Sequence, residues 1–165
     1  MKKNQNFYKV CIVVFIMILC CQSLLATMIG DTLIIYRHHP DLSTNYQPPV
    51  STVVTLGSSD AITSHGYAMF DPEANHIYID WFNSSAYGGN ESVFDGFKFT
   101  GFSDKIVSMT LAQVSNISVY ELAHGDDYIT LNLNSAFSSS SYIDIEINFE
   151  SGPASSPVPE LNSIF

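Results

Sequence analysis

The chain has 165 residues, with 16 acidic against six basic side chains and a net charge of −10 at pH 7. Nucleic acid and anionic membrane surfaces both call for a cationic footprint, so the sign of this charge argues against either partner. All three cysteines (Cys11, Cys20, Cys21) fall near the N-terminus, so the remainder of the chain contains no thiol.

The first 26 residues have the layout of a secretory signal peptide. Lys2, Lys3 and Lys9 precede the apolar run Val10 to Leu19, and Gln22 to Ala26 form a weakly polar exit ending in a small residue. Cleavage is expected after Ala26. Two alternatives stay open. Counting Cys20 to Ala26 into the apolar run brings it near the roughly 18–20 residues of a membrane anchor. Cys20 or Cys21 can also mark a lipoprotein signal, although Leu19 and Cys20 stand where that signal takes a small residue. Removing 26 of the 165 residues leaves 139, enough for one domain that buries roughly two-thirds of its unfolded surface. Only Arg37, Lys98 and Lys105 then stand against all 16 acidic residues, a net charge of −13. Such a chain is soluble and self-repelling. With no disulfide available, it reads as a bacterial exported protein, secreted or at the cell surface.

From residue 27 to 150 the pattern is that of strands. Thr32 to Tyr36 and Val50 to Leu56 are β-branched runs. In His76 to Phe82, Ile77, Ile79 and Trp81 share one face, and His76, Tyr78 and Asp80 the other. Further strands are expected within Phe94 to Phe102, Lys105 to Leu111, Ile117 to Leu122 and Tyr128 to Leu133. Tyr142 to Phe149 alternates best: Ile143, Ile145, Ile147 and Phe149 against Tyr142, Asp144, Glu146 and Asn148. Turn chemistry separates these runs, at Tyr87 to Asn90, Ser103-Asp104, His124 to Asp127 and Ser138 to Ser141. Met109 to Val114 is too short for a helix. The expected fold is all-β, an antiparallel, jelly-roll-like β-sandwich of about seven to nine strands. The segment Pro40 to Pro49, with three prolines, is expected to connect elements, and residues 151–165 to form a disordered Ser/Pro-rich tail.

Gly30-Asp31-Thr32, Tyr36 and Pro40-Asp41-Leu42-Ser43-Thr44-Asn45-Tyr46 resemble the opening of exported bacterial proteins of the PEP-CTERM type, which are sorted by an exosortase. Phe94-Asp95-Gly96-Phe97-Lys98-Phe99 is similar to a strand of that group, and Val158-Pro159-Glu160 to the start of its sorting tail. Leu161 stands where the tail has a second proline, and neither an apolar span nor a basic cluster follows before Phe165. The resemblance therefore implies a degenerate or truncated sorting tail. It also implies a place at the cell surface or in the extracellular matrix, rather than a chemistry.

Candidate chemistry is sparse. His38 and His39 are adjacent, and neighbours on a strand point to opposite faces, so they can share a metal only from a loop. Neither H-x-H nor H-E-x-x-H occurs, and the five histidines are expected at the surface. Asp126 and Asp127, in the turn after His124-Gly125, are the calcium candidates, with Asp60, Asp71, Glu73 and Asp104 in other expected loops. No G-x-S-x-G elbow occurs, and Asp80 and Glu146 occupy outward positions where charge is normally solvated. Outward Tyr78 and Tyr142 are the candidates for stacking on sugar rings, while Trp81 shares the core face of Ile77 and Ile79. Asn83, Asn90 and Asn116 head glycosylation sequons that chance explains in a chain rich in Asn and Ser. The expected function is that of an exported, non-catalytic protein, structural or adhesive, without a cofactor, meeting polysaccharide or other surface proteins. The alternative is a carbohydrate-binding module assisted by calcium.

Overall fold

The computed structural model describes residues 26–55, 61–64 and 66–150, and Thr27–Glu150 form one compact unit. The expected signal peptide up to residue 25, the expected 151–165 tail with Val158-Pro159-Glu160, and Leu56, Asp60 and His65 lie outside the described residues. Among the described residues there is no helix, and the strands pair antiparallel, as the alternation predicts. Twelve strands run in order: β1 Thr32–His38, β2 Asn45–Val53, β3 Ile62–Ser64, β4 Ala68–Pro72, β5 His76–Trp81 and β6 Ser85–Ala86; then β7 Gly96–Thr100, β8 Ile106–Ser115, β9 Val119–His124, β10 Tyr128–Leu133, β11 Ala136–Phe137 and β12 Tyr142–Phe149. That exceeds the expected seven to nine because β3, β6 and β11 have only three, two and two residues. No window that short carries a readable period.

One sheet has the order β2-β1-β7-β10-β9, the other β3-β4-β5-β12-β8, and β6 pairs with β11 in a small ribbon. Hairpins β1–β2 and β9–β10 stay within the first sheet, and the β3–β4–β5 meander within the second. The chain changes sheets between β2 and β3, β5 and β7, β7 and β8, β8 and β9, and β10 and β12. Packing of the two inner faces defines the sandwich. Phe70 of β4 meets Phe97 and Phe99 of β7 edge-on, at centroid distances of 4.9 and 5.8 Å. Ile77, Ile79, Ile143 and Ile145 from one sheet, and Leu33, Ile35, Ile129 and Leu131 from the other, complete a core with no solvent exposure. Trp81 belongs to it, 1 % exposed. Each such side chain contributes about 1.5–3 kcal/mol by leaving water.

The expected connection at Pro40 to Pro49 is corrected: its second half is β2, which includes Pro48 and Pro49. Proline removes a ladder donor, so it is tolerated where one side of a strand is unpaired. β2 is an edge strand, paired only with β1. β8 is the opposite case, a ten-residue edge strand without charge or proline, on which Val107, Leu111 and Val114 stay exposed. Asp71, expected in a loop, is half-buried on β4. Gly96 lets β7 approach β10: a Cβ there would lie 1.8 Å from the Leu131 carbonyl oxygen.

Candidate functional site

The inner faces of the first sheet do not stay apolar to their ends. Leu33 and Ile35 of β1 point inward, and the next residue in that period is Arg37. Phe99 and Phe97 of β7 point inward, and the next is Asp95. Gln47 lies opposite Arg37 on β2, so it shares the same face. A cation, an acid and an amide thus converge at one end of the sandwich, where the β6–β11 ribbon and the 82–95 connection close over them.

Arg37 and Asp95 are 6 % and 7 % exposed and form an ion pair. Every nitrogen of the guanidinium has a partner. Nε donates to the Tyr67 hydroxyl at 3.0 Å. Nη1 donates to the carbonyls of His38 at 2.5 Å and Gly96 at 3.3 Å, and Nη2 to Asp95. Aromatic rings surround the cation, with its central carbon 4.8 Å from the Tyr87 centroid, 5.3 Å from Tyr46 and 5.7 Å from Phe97. Burial alone lowers the pKa of Arg37, yet Tyr67, Tyr87 and Asp95 together hold it above its ordinary value. Burial also pushes the Tyr87 phenol well up, and its hydroxyl accepts from the Trp81 indole at 3.3 Å. Asp95 is itself fixed. Its Oδ2 accepts from the Gly88 amide at 2.7 Å, and its amide donates to Asn132 Oδ1 at 2.9 Å.

A cleft of about 320 Å³ opens beside this pair, with Gln47, Tyr46, His39, Tyr67, Ser85 and Tyr87 among its walls. Two wall atoms, Gln47 Oε1 and His39 Nδ1, are buried without a hydrogen-bond partner. Nδ1 comes no closer than 3.8 Å to Asp95, beyond a direct hydrogen bond. Tyr46 stays 59 % exposed at the mouth, with the His39 ring edge-on to it at 6.0 Å. Asp95 is the one carboxylate lining the cleft, and Arg37 engages it.

The residues singled out from the sequence lie elsewhere. Tyr78 and Tyr142 do come together, diagonally across β5 and β12 on the outer face of the other sheet. Their near-parallel rings are 6.4 Å apart, and His76 extends the row at 5.5 Å from Tyr78. His76 also meets Asp144 at 2.7 Å. Both phenols titrate above their usual range, through partial burial first and the Asp144 carboxylate second. The two ring planes lie within 21° of parallel, and neither tyrosine lines the Arg37 cleft. Asp126 and Asp127 sit exposed in the β9–β10 turn, with Lys105 Nζ 3.5 Å from Asp126. Among the described residues no three His, Cys, Asp or Glu side chains cluster closely enough to hold a metal ion. Asp41, Glu91 and Glu121 line a second cleft of about 370 Å³ without forming such a cluster.

Surface placement fails for one histidine. His38 is 5 % exposed, near-parallel to Tyr36 at 5.8 Å and edge-on to Phe94 at 6.3 Å. The signal that finds the Arg37 site is the same period of two: opposite charges continuing two apolar faces. No protein-family model, curated protein or solved structure matches the chain.

Proposed function

We propose that this chain is an exported, non-catalytic protein of the bacterial cell surface or extracellular matrix, structural or adhesive in role, which holds its partner at the Arg37 cleft. The observation that carries this reading is the state of Asp95. General acid–base chemistry on a glycoside needs two carboxylates with separate roles. This cleft offers one, locked by an arginine and a backbone amide. A site so built orients a ligand rather than cleaving it. The leader at residues 1–26, the charge of −13 beyond it and the resemblance to PEP-CTERM proteins support the location.

A second reading, a carbohydrate-binding module, is favoured by the exposed Tyr46 ring standing over fixed polar groups. An aromatic face beside oriented hydrogen-bonding groups is the common chemistry of a sugar site. The test is expression of the full chain in a Gram-negative host, with fractionation, N-terminal mass spectrometry and assays on polysaccharides. The expected product starts at Thr27 in the exported fraction and binds without releasing reducing ends. An intact Met1 on cytosolic protein, or turnover of a glycan, overturns the proposal.

A further inference from the structure

We infer that the Arg37 cleft takes an uncharged, hydroxyl-bearing ring, a neutral sugar residue, and discriminates against acidic sugars. The inference rests on the carbohydrate reading and adds the class of sugar.

Charge decides against an anion. The three basic residues in the described part of the chain are all engaged: Arg37 with Asp95, Lys105 with Asp126, and Lys98 over the Tyr128 ring at 4.9 Å. Neither lysine lines the cleft. A uronate arriving there meets a neutralised guanidinium and the field of a chain with 13 excess negative charges. A cation fares no better at close range, because the one lining carboxylate already pairs with Arg37.

Hydrogen-bond capacity decides for hydroxyls. Four of the five guanidinium N–H groups are already donated within the protein, and the unpartnered buried atoms of the wall are the Gln47 carbonyl oxygen and the His39 ring nitrogen. A buried acceptor without a donor costs about 1–3 kcal/mol, so a ligand that brings donors is favoured over one that brings acceptors only. A sugar hydroxyl donates to Gln47 Oε1 and satisfies His39 Nδ1 in either tautomer, since it can donate or accept. Tyr46 supplies an apolar face for the C–H side of the ring. A cleft of about 320 Å³ lies at the small end of ligand sites, room for about one or two rings of a longer glycan.

The experiment is calorimetric and NMR titration of the mature chain with neutral hexasaccharides (maltohexaose, cellohexaose, xylohexaose, mannohexaose) and acidic ones (oligogalacturonate, oligomannuronate). At least one neutral series should bind and shift the side-chain amide of Gln47, with the acidic series about tenfold weaker or absent. Gln47→Leu, of similar size, should weaken binding about fivefold through loss of one hydrogen bond. Tyr46→Ala, at an exposed edge position that leaves folding intact, should weaken it further. Tyr78→Ala should leave it unchanged. Acidic sugars binding equally or better would overturn the charge argument and leave the carbohydrate reading standing. Binding lost in Tyr78→Ala but kept in Tyr46→Ala and Gln47→Leu would remove the site. No binding by either series would remove both readings.

Discussion

Replacing Asp95 by Asn leaves a shape almost unchanged and removes one charge from a site where both partners are under 10 % exposed. Breaking a buried pair from one side costs about 3–5 kcal/mol, because the remaining ion is left uncompensated. Asparagine keeps one acceptor oxygen, for the Gly88 amide or for Arg37, and turns an N–H donor toward the other, so the loss is at least the lower figure, about 3 kcal/mol. In a unit of this size that is a fall of about 10 °C in Tm. Arg37→Met should cost a similar amount, since it strands the Asp95 carboxylate. The double variant should cost less than either single one, because Met fits among the rings of Tyr46, Tyr87 and Phe97 and the amide that replaces the carboxylate carries no charge. Urea unfolding read by fluorescence suits the test. Trp81 is the one tryptophan, fully buried and hydrogen-bonded to Tyr87 inside the same cluster. Losses that simply add in the double variant, or a loss below about 0.5 kcal/mol for Asp95→Asn, would refute the reasoning, since an exposed pair behaves that way.

Gly96→Ala should prevent folding at 25 °C, because the new Cβ meets the backbone carbonyl of Leu131, which no side-chain rotation can move; native circular dichroism in the purified variant would contradict this. His38 titrates below its usual range, through burial first and the nearby Lys98 and Arg37 charges, against the opposing pull of the Thr44 carbonyl and Asp41. The unfolded chain therefore binds the proton more readily than the folded one. Stability should fall as pH drops below about 6.5 and keep falling until it passes the folded value. His38→Phe, which can keep the contacts with Tyr36 and Phe94, should flatten that part of a Tm–pH profile, and an unchanged slope would count against it. Millimolar calcium should leave the Tm unmoved, because Asp126 faces Lys105 and, among the described residues, no third acid joins Asp126 and Asp127; a rise with calcium would reinstate the two as ligands.

Much of the sandwich was legible wherever an apolar alternation ran for six residues or more. β5 and β12 read as written, and Trp81 is core because it continues the face of Ile77 and Ile79. β2 was obscured by its prolines, whose tolerance depends on having no neighbour on one side, a property of the sheet and not of the segment. The site was less legible. The period of two places Tyr78 and Tyr142 on one outward face, but their diagonal register and the near-parallel setting of their rings depend on strand pairing and rotamers that no single segment encodes. Arg37 and Asp95 were hidden differently. Each continues an inner face by the same count of two that identifies the core, but they lie 58 residues apart, and nothing local says that they meet.

That pairing also separates stability from binding. A buried ion pair is rarely the most stable filling for its space, and apolar residues of similar volume often do as well or better. If Arg37 and Asp95 served only to fill the end of the sandwich, an apolar substitute would lose nothing. Arg37 does more than fill, however. It holds the Tyr67 hydroxyl, the carbonyls of His38 and Gly96, and the rings of Tyr46 and Tyr87 in one arrangement around the cleft. The Arg37→Met, Asp95→Asn double variant should therefore stay folded, with a midpoint close to that of the parent, and lose glycan affinity by about tenfold or more as the walls relax. Parent-like affinity in that folded variant would show that the pair is packing alone, and that recognition lies elsewhere on the molecule.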